Sequence, residues 1–309
     1  MAGITLLESN KLRGGDVYAQ TIVELYAKTS DILRVLPFET IAGNAYHYNQ
    51  EDTLPGVAFR GINASWTASA GVVNPMVEHL CIAGGELDVD QALVKTQGPQ
   101  VRAKHEAMKV KHLAHLWTYK FIKGSSPTTP AEFDGLQRRL VGNQLIAAGA
   151  TGGGDALTLA KLDELCDTVV EPTHLIMSRA MRRRLTAASR TSTVGGFINF
   201  QKDEFGRQIS YYNDLPILIA DGNTDYYATL DFLEACTSGG DTGTSIYCVS
   251  LKPGMLQGIQ NGPPEVDDLG KMQASPAYRT RVEWLSSIIL EHPKAAARLY
   301  AISNAAVTA

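Results

Sequence analysis

The sequence predicts an α+β protein in which one long helix lies on a β-sheet, next to a separate α/β region. Three observations support this fold class. Residues 97–123 carry the longest helical pattern, residues 36–75 alternate short β-type runs with Gly, Asn, Pro and Ser, and helical and strand patterns alternate after residue 131. A chain of 309 residues is long enough for about two domains.

The composition excludes several functional classes. Hydrophobic residues make up 44% and charged residues 19% of the chain, which is typical of a folded globular protein. The net charge of −4 argues against a basic nucleic-acid binder, so that any contact with nucleic acid would be local. We find no signal-peptide core and no apolar run that would span a membrane. The four cysteines form no CxxC pair, which predicts free thiols in a reducing cytoplasm.

The first 75 residues are predicted to extend from the body. Residues 1–35 form an arm in which Asp16 caps a short amphipathic helix, continuing toward Ile32 and Leu33, that needs another surface to pack on. In residues 36–75, the outgoing β arm is expected at 38–41 and 46–48 and the returning arm at 58–60 and 66–67. A two-stranded excursion of this kind is marginally stable in water unless it lies on another chain.

The long helix is predicted from Pro99, which suits a helix start, to Gly124, which suits a helix end. One apolar stripe follows the helical period and should pack on a sheet built from Val77–Ile82 and the strands after Arg279. The stripe residues are Val110, Leu113, Ala114, Trp117 and Phe121. The remaining surface is basic and is expected to face a neighbouring subunit or a lumen rather than to read DNA.

After a Ser-, Thr- and Pro-rich linker at 125–130, the pattern predicts an α/β region. Residues 86–94 before the long helix are expected to form a turn. Helices are predicted at 133–140, at 157–170 with Thr158 as its cap, and at 178–188 with Ser178 as its cap. Strands are predicted at 173–177, 209–212, 215–220, 245–251, 279–290 and 297–302, the last two joining the sheet under the long helix.

No motif predicts catalysis, so we expect no catalytic residue, no cofactor and no metal. The Gly149–Asp155 loop is Gly-rich but lacks the Lys-Ser/Thr ending of a phosphate loop. His112 and His115 have helical spacing, but no nearby carboxylate completes a metal site. A basic cluster on the 178–188 helix has two interpretations, phosphate contact or, preferably, inter-subunit pairing with acids such as Glu132 or Asp163. Its members are Arg179, Arg182, Arg183 and Arg184.

Three segments carry a resemblance to a known family. Thr173–Arg179 before a Leu-containing helix, Gly206–Tyr211 followed by Leu215–Ile219, and Ser245–Leu251 before a Pro-Gly stretch occur in the order found in that family. From about Leu36 to Ile302 the chain resembles the major capsid proteins of tailed bacteriophages, which have the Hong Kong 97-type capsid fold. The resemblance implies an N-terminal arm at 1–35, an E-loop β-hairpin at 36–75, a peripheral domain at 76–126 and 262–309 with a spine helix at 97–123, and an α/β axial domain at 127–261.

The resemblance also implies a function. Pentamers and hexamers of the chain would form an icosahedral virion capsid around double-stranded DNA in the host cytoplasm, with scaffolding, portal and decoration proteins as partners. Met1 favours a separate scaffolding protein. No lysine occurs between Lys28 and Lys95, so crosslinking through an E-loop lysine is not expected. The E-loop residues expected to contact a neighbouring subunit are Tyr46, Tyr48, Phe59, Arg60 and Trp66.

Two alternatives remain open at this stage. The same fold would serve an encapsulin-type shell that stores an enzyme cargo. A cytoplasmic α/β enzyme that uses the Gly149–Asp155 loop is the alternative from a different functional class.

Overall fold

The computed structural model describes residues 4–5, 30–190, 198–202, 208–220, 229–237, 240 and 242–308. The predicted arm helix after Asp16 lies outside these residues, as does Gly206. The α-helices within these ranges are α1 (Asp31–Val35), α2 (Gln91–Gln97), α3 (Gln100–Lys123), α4 (Leu136–Arg139), α5 (Leu159–Thr168) and α6 (Arg179–Ala188). Short 3-10 turns occur at Gly142–Gln144 and Pro293–Ala295.

The strands of the described residues form three sheets. Those of the six-stranded peripheral sheet are β1 (Ile4–Thr5), β2 (Pro37–Thr40), β5 (Cys81–Asp90), β12 (Leu256–Gln260), β13 (Glu265–Lys271) and β14 (Ala277–Leu290). Those of the seven-stranded axial sheet are β6 (Leu145–Ala147), β7 (His174–Met177), β8 (Ile198–Lys202), β9 (Gln208–Tyr212), β10 (Leu215–Ile219), β11 (Thr244–Val249) and β15 (Ala296–Ile302). A separate hairpin consists of β3 (Ala45–Thr53) and β4 (Val72–His79).

The peripheral sheet lies under the long helix α3, which we call the spine helix. Its order is β1-β2-β12-β14-β13, and β5 pairs with β14 in antiparallel register, with Trp284 opposite Ala83. The strand before the spine helix is therefore β5 and not the predicted Val77–Ile82. The predicted turn at 86–94 is also wrong, because β5 continues to Asp90 and that carboxylate accepts a hydrogen bond from the amide of Ala92 to begin α2.

The axial sheet has the order β6-β15-β11-β7-β10-β9-β8. Helices α5 and α6 bury their apolar faces against it. As predicted, Thr158 caps α5 by accepting from the amide of Lys161 at 3.2 Å, and Ser178 caps α6 by accepting from the amide of Met181 at 3.1 Å. The predicted helix at 133–140 shortens to α4, Leu136–Arg139.

Two strands, β15 and β12, lie in a different sheet from the one that the sequence predicts. The last strand, β15, was predicted under the spine helix but lies between β6 and β11 in the axial sheet. Its residues are almost all buried, as a central strand requires. Conversely, β12 lies within the predicted axial range 127–261 but pairs with β2 and β14 of the peripheral sheet.

The β3–β4 hairpin extends from the body through the E-loop region. Tyr46 pairs with Glu78 and Tyr48 with Met76 in antiparallel register. The return strand was predicted at 58–60 and 66–67, and this is wrong. Those residues lie in an irregular tip at 54–71, and Val72–His79 returns instead.

Three hydrophobic clusters are formed by the described residues. The largest joins the spine helix to the peripheral sheet and to one face of the axial sheet, and the second fills the space between the other axial face and helices α5 and α6. A small third cluster of Leu80, Ile259 and Ile289 lies under the hairpin base. Ile32 and Leu33 are fully buried in the largest cluster. The prediction that the arm extends from the body of the subunit is therefore wrong for these two residues, which find the surface they need within it.

Candidate functional site

The stripe of the spine helix is buried in the centre of the largest cluster. Val110, Leu113, Trp117 and Phe121 are each at most 4% exposed. The ring of Trp117 lies 5.5 to 5.8 Å from four aromatic rings, and its indole N–H donates to the Ser286 hydroxyl at 3.0 Å. Those rings belong to Phe38, Phe121, Phe133 and Trp284. Through this cluster the spine helix packs on the peripheral sheet, to which Phe38 and Trp284 belong.

Several basic side chains of the spine helix are neutralised within the subunit. Lys120 pairs with Glu132 at 2.6 Å and Lys123 pairs with Asp231 at 3.0 Å. For these two lysines the outcome is contrary to the expectation that they face a neighbouring subunit or a lumen. Lys104 and Lys111 are exposed. The basic surface available to a partner is therefore smaller than the sequence suggests.

The first half of the spine helix is tied to β13 and β14 by a polar cluster. The buried Glu106 carboxylate accepts from the Thr280 hydroxyl at 2.7 Å and from Arg102 Nε at 3.1 Å. Arg102 Nη1 also donates to Asp268 at 2.8 Å, and this hydrogen bond holds the pKa of Asp268 below its usual value. The Arg102–Glu106 ion pair lies between the spine helix and the sheet, and each of its two charges has a further hydrogen-bond partner on the sheet.

The base of the hairpin rests on its own subunit. The Tyr46 hydroxyl donates to Glu291 at 3.0 Å, and burial together with this carboxylate raises the pKa of Tyr46 to about 12. The Tyr46 and Tyr48 rings lie 6.2 Å apart over the small cluster. On the next strand, Glu78 forms a bidentate ion pair with Arg139. These two tyrosines, predicted to contact a neighbour, thus have contacts inside the subunit.

The tip of the hairpin at 54–71 is folded but projects its apolar side chains into solvent. Trp66 Nε1 donates to the carbonyl of Ala58 at 2.9 Å, and Arg60 donates to the carbonyl of Ala64 at 3.1 Å. The Arg60 guanidinium lies 4.4 Å from the centre of the Trp66 ring. Phe59 is fully exposed and Trp66 is 63% exposed. Leu54, Val57 and Ile62 are also exposed.

The arginine cluster of α6 is partly exposed. Arg184 donates to the side-chain and backbone oxygens of Asn304 at 3.0 and 2.9 Å. Arg179 and Arg183 are exposed and Arg182 is half-buried. Of the acids suggested as inter-subunit partners, Glu132 pairs with Lys120 and Asp163 accepts from Tyr212 at 2.7 Å. Both acids are thus already engaged within the subunit.

The Gly149–Asp155 loop is filled by one of its own side chains. The Asp155 carboxylate accepts from the amide of Thr151 at 3.1 Å and occupies the space next to Gly149, where a Cβ atom would collide with it. The hydrogen bonds from Thr151 lower the pKa of Asp155. A carboxylate at this position would repel a phosphate, since both are anionic.

Within the described part of the chain, no group of three or more His, Cys, Asp or Glu side chains is arranged to hold a metal ion. No described helix combines the length and apolar character that a membrane crossing requires. All four cysteines are free thiols.

Two groups were missed by the sequence analysis. One is the buried network of Arg298, Glu234 and Ser245 in the axial region, in which Arg298 donates to Glu234 at 3.1 Å and to Ser245 at 3.0 Å. The other is the Arg139–Glu78 pair. The two hydrogen bonds of Arg298 and the Arg139–Glu78 pair each join residues at least 53 positions apart, so no local spacing indicates them.

No protein-family model and no curated protein matches the amino-acid sequence. Solved structures match its fold. The holo-SrpI encapsulin complex from Synechococcus elongatus PCC 7942 is 16% identical, with a TM-score of 0.64 over 97% of this chain and 96% of that one. The capsid of the native GTA particle is 12% identical, with a TM-score of 0.62 over 89% of this chain and 91% of that one. A protein of Mycobacterium phage Cain is 12% identical, with a TM-score of 0.62 over 99% of both chains.

At these identities the likeness establishes the fold. The chain has the mixed α+β fold found in capsid and encapsulin structures, and the resemblance predicted from its sequence is confirmed at that level.

Proposed function

We propose that this chain is a structural subunit of the Hong Kong 97-type that self-assembles, as pentamers and hexamers, into an icosahedral capsid enclosing double-stranded phage DNA. The observation that carries the proposal is the hairpin tip at 54–71, which is folded, apolar and outside all three hydrophobic clusters of the described residues. The fold likeness to a particle capsid over 89% of the chain supports it.

The exposed tip is suited to a protein–protein contact. Val57, Phe59 and Ile62 are each at least 95% exposed. Burying one such side chain contributes about 1.5–3 kcal/mol, so a few of them on each neighbour give a useful association energy. Arg60 is the one charged residue between positions 54 and 71, and stacking on Trp66 holds it in place. In a closed shell every subunit would make this contact, so modest energies add up around each ring.

The domain division proposed for the chain follows the resemblance with two strands exchanged. Residues 1–35 are the arm, 36–75 the E-loop, 76–126 and 262–309 the peripheral domain and 127–261 the axial domain. The exceptions are β12, which joins the peripheral sheet, and β15, which joins the axial sheet. The partners are other copies of this chain, with scaffolding, portal and decoration proteins, and DNA contacts are weak because the net charge is −4.

The proposed shell is held together without covalent links. The E-loop region has no lysine, since none occurs between Lys28 and Lys95. Mature particles dissolved in denaturant should therefore give a single band at the subunit mass of 33.4 kDa. A ladder of covalent multimers on the gel would contradict this part of the proposal.

The direct test is electron microscopy of the purified protein, with two variants at one tip position. Wild-type protein should form closed shells or ring-shaped capsomers, and Phe59→Leu should form them as well because the side chain stays apolar. Phe59→Asp should leave a folded subunit that does not assemble, because the tip would bury a charge. A stable wild-type monomer, or normal shells from Phe59→Asp, would overturn the proposal.

An encapsulin-type shell is the second candidate, and the encapsulin likeness over 97% of the chain favours it. The contents of purified particles separate the two functions. Packaged nucleic acid supports a phage capsid, whereas a co-purifying enzyme within the shell supports an encapsulin. The enzyme alternative is disfavoured by the Asp155 carboxylate, which fills the Gly149–Asp155 loop.

A further inference from the structure

The hairpin base is joined to the body by one ion pair of unusually complete geometry. Arg139 Nη1 and Nη2 donate to the two carboxylate oxygens of Glu78 at 2.5 and 2.9 Å. Arg139 Nε donates to the backbone carbonyl of Asp134 at 2.7 Å. All three nitrogens of the guanidinium are therefore used, and its plane is fixed relative to both the hairpin and the 124–140 segment.

The pair is shielded from solvent, unlike most of the hairpin. The side chains of Arg139 and Glu78 are 11% and 19% exposed, whereas nearly all other residues of β4 are exposed. Below them, the small cluster of Leu80, Ile259 and Ile289 is separate from the two large cores. Among the described residues, the side-chain contacts that hold the hairpin base include this small apolar cluster, the Tyr46–Glu291 hydrogen bond and the Arg139–Glu78 ion pair.

The other side of Arg139 is anchored to the end of the spine helix. Gly124 ends that helix, and its carbonyl accepts from the amide of Gly135 at 3.0 Å. A Cβ atom at Gly135 would lie 2.6 Å from the carbonyl of Ile122, so the 124–140 segment crosses the helix end at close range. Leu136 is fully buried in the largest hydrophobic cluster, which also contains the apolar stripe of the spine helix. A shift of the helix end therefore moves Arg139 with it.

We propose that Arg139 is a positioning residue that sets the angle between the E-loop hairpin and the spine helix, through its bidentate pair with Glu78. This inference rests on the proposed shell function. Nine residues of β3 extend about 30 Å at roughly 3.4 Å per residue. A change of about 10° at the base would move the far end of β3 by about 5 Å, which is enough to misplace the apolar tip on a neighbour.

The test uses charge reversal in the full-length chain. Glu78→Arg and Arg139→Glu each place like charges together, and the double variant restores the pair with its direction reversed. Arg138→Glu is the matched control, because Arg138 is the adjacent residue, its side chain is 50% exposed and its ion pair with Asp134 lies outside the hairpin. Hydrogen exchange of the unassembled subunit is measured over 45–53 and 72–79, with 100–123 as the internal reference, and particles are imaged.

Each single reversal should raise exchange at the hairpin base about tenfold or more, with the spine helix unchanged, and should give few or misshapen particles. The double variant should recover both readouts, and Arg138→Glu should behave as wild type. Unchanged hairpin exchange in the single variants, or a double variant no better than either single one, would overturn the inference.

Two results separate this inference from the proposed function and from misfolding. If wild-type protein forms no shell, the proposed function fails, while the exchange measurement still decides whether Arg139 fixes the hairpin. If a reversal variant does not fold, Arg139→Lys replaces it, because lysine keeps the charge and loses the bidentate geometry. That variant should show intermediate hairpin exchange, and wild-type exchange would contradict the role assigned to Arg139.

Discussion

Replacement of Trp117 tests how the spine helix is supported. In the structure this side chain is 1% exposed, contacts four aromatic rings and donates a hydrogen bond to Ser286. Trp117→Ala removes the aromatic contacts and opens a cavity, while Trp117→Asp adds a carboxylate that no described residue near Trp117 neutralises. Lys111→Ala on the same helix is the control, because Lys111 is exposed.

The size of the effect follows from burial. Truncating a buried Trp to Ala typically costs about 3–5 kcal/mol. The Ser286 hydroxyl also loses its donor, which costs about 1–3 kcal/mol more if no water replaces it. The sum is comparable with the whole stability of a typical domain, about 5–15 kcal/mol. An unpaired buried carboxylate adds several kcal/mol, so Trp117→Asp should leave no folded subunit.

The assay is soluble yield, near-ultraviolet circular dichroism and electron microscopy of particles. Trp117→Ala should lower the denaturant midpoint strongly, Trp117→Asp should give aggregated or unfolded chain, and Lys111→Ala should change the free energy of unfolding by less than about 0.5 kcal/mol. A normal yield of particles from Trp117→Asp would refute the placement of this residue in the supporting core.

Two further predictions concern ionisable groups in the axial region, the half-buried His174 and the buried Arg298–Glu234 pair. Burial, followed by the charge of Arg34, lowers the pKa of His174 from 6.5 to about 4, so the neutral ring is favoured in the fold. The lowered pKa contributes at most about 3 kcal/mol to the free energy of unfolding, and this contribution is present above pH 6.5 and is lost as the pH falls toward 4. The free energy of unfolding of His174→Gln should therefore depend less on pH over that window than that of the wild type. Parallel pH profiles for the two proteins would contradict this. Arg298→Met should cost about 3–5 kcal/mol by leaving Glu234 buried and unpaired, and adding Glu234→Leu should recover much of that loss; a double variant as unstable as the single would disprove it.

The sequence predicted the spine helix well because periodicity is a local signal. Its stripe repeats every three or four residues, and Pro99 and Gly124 mark its ends. The axial helices α5 and α6 were predicted for the same reason, with hydroxyl caps at Thr158 and Ser178.

Strand pairing was harder to predict because it is not local. Both β14 and β15 are apolar runs, and the pattern of neither strand indicates which sheet that strand completes. The return strand of the hairpin was misplaced because Val72–His79 contains Pro75 and is exposed on both faces, so it lacks the alternation of a half-buried strand. The tip is held by side chain–backbone hydrogen bonds such as that from Trp66 to Ala58, which have no periodic signature.

The positions of β14 and β15 also have a consequence for synthesis of the chain. Each lies inside its sheet, and every described strand that pairs with them precedes them in the sequence. The peripheral sheet cannot close before Leu290 has been made and the axial sheet cannot close before Ile302, because each lacks an interior strand until then. At roughly 5–20 residues per second, the edge of β5, which ends at Asp90, waits about 10–40 s for β14. A nascent chain therefore cannot form the complete spine support before β14 has been made, and in the proposed shell its hairpin would have a finished base only after that point.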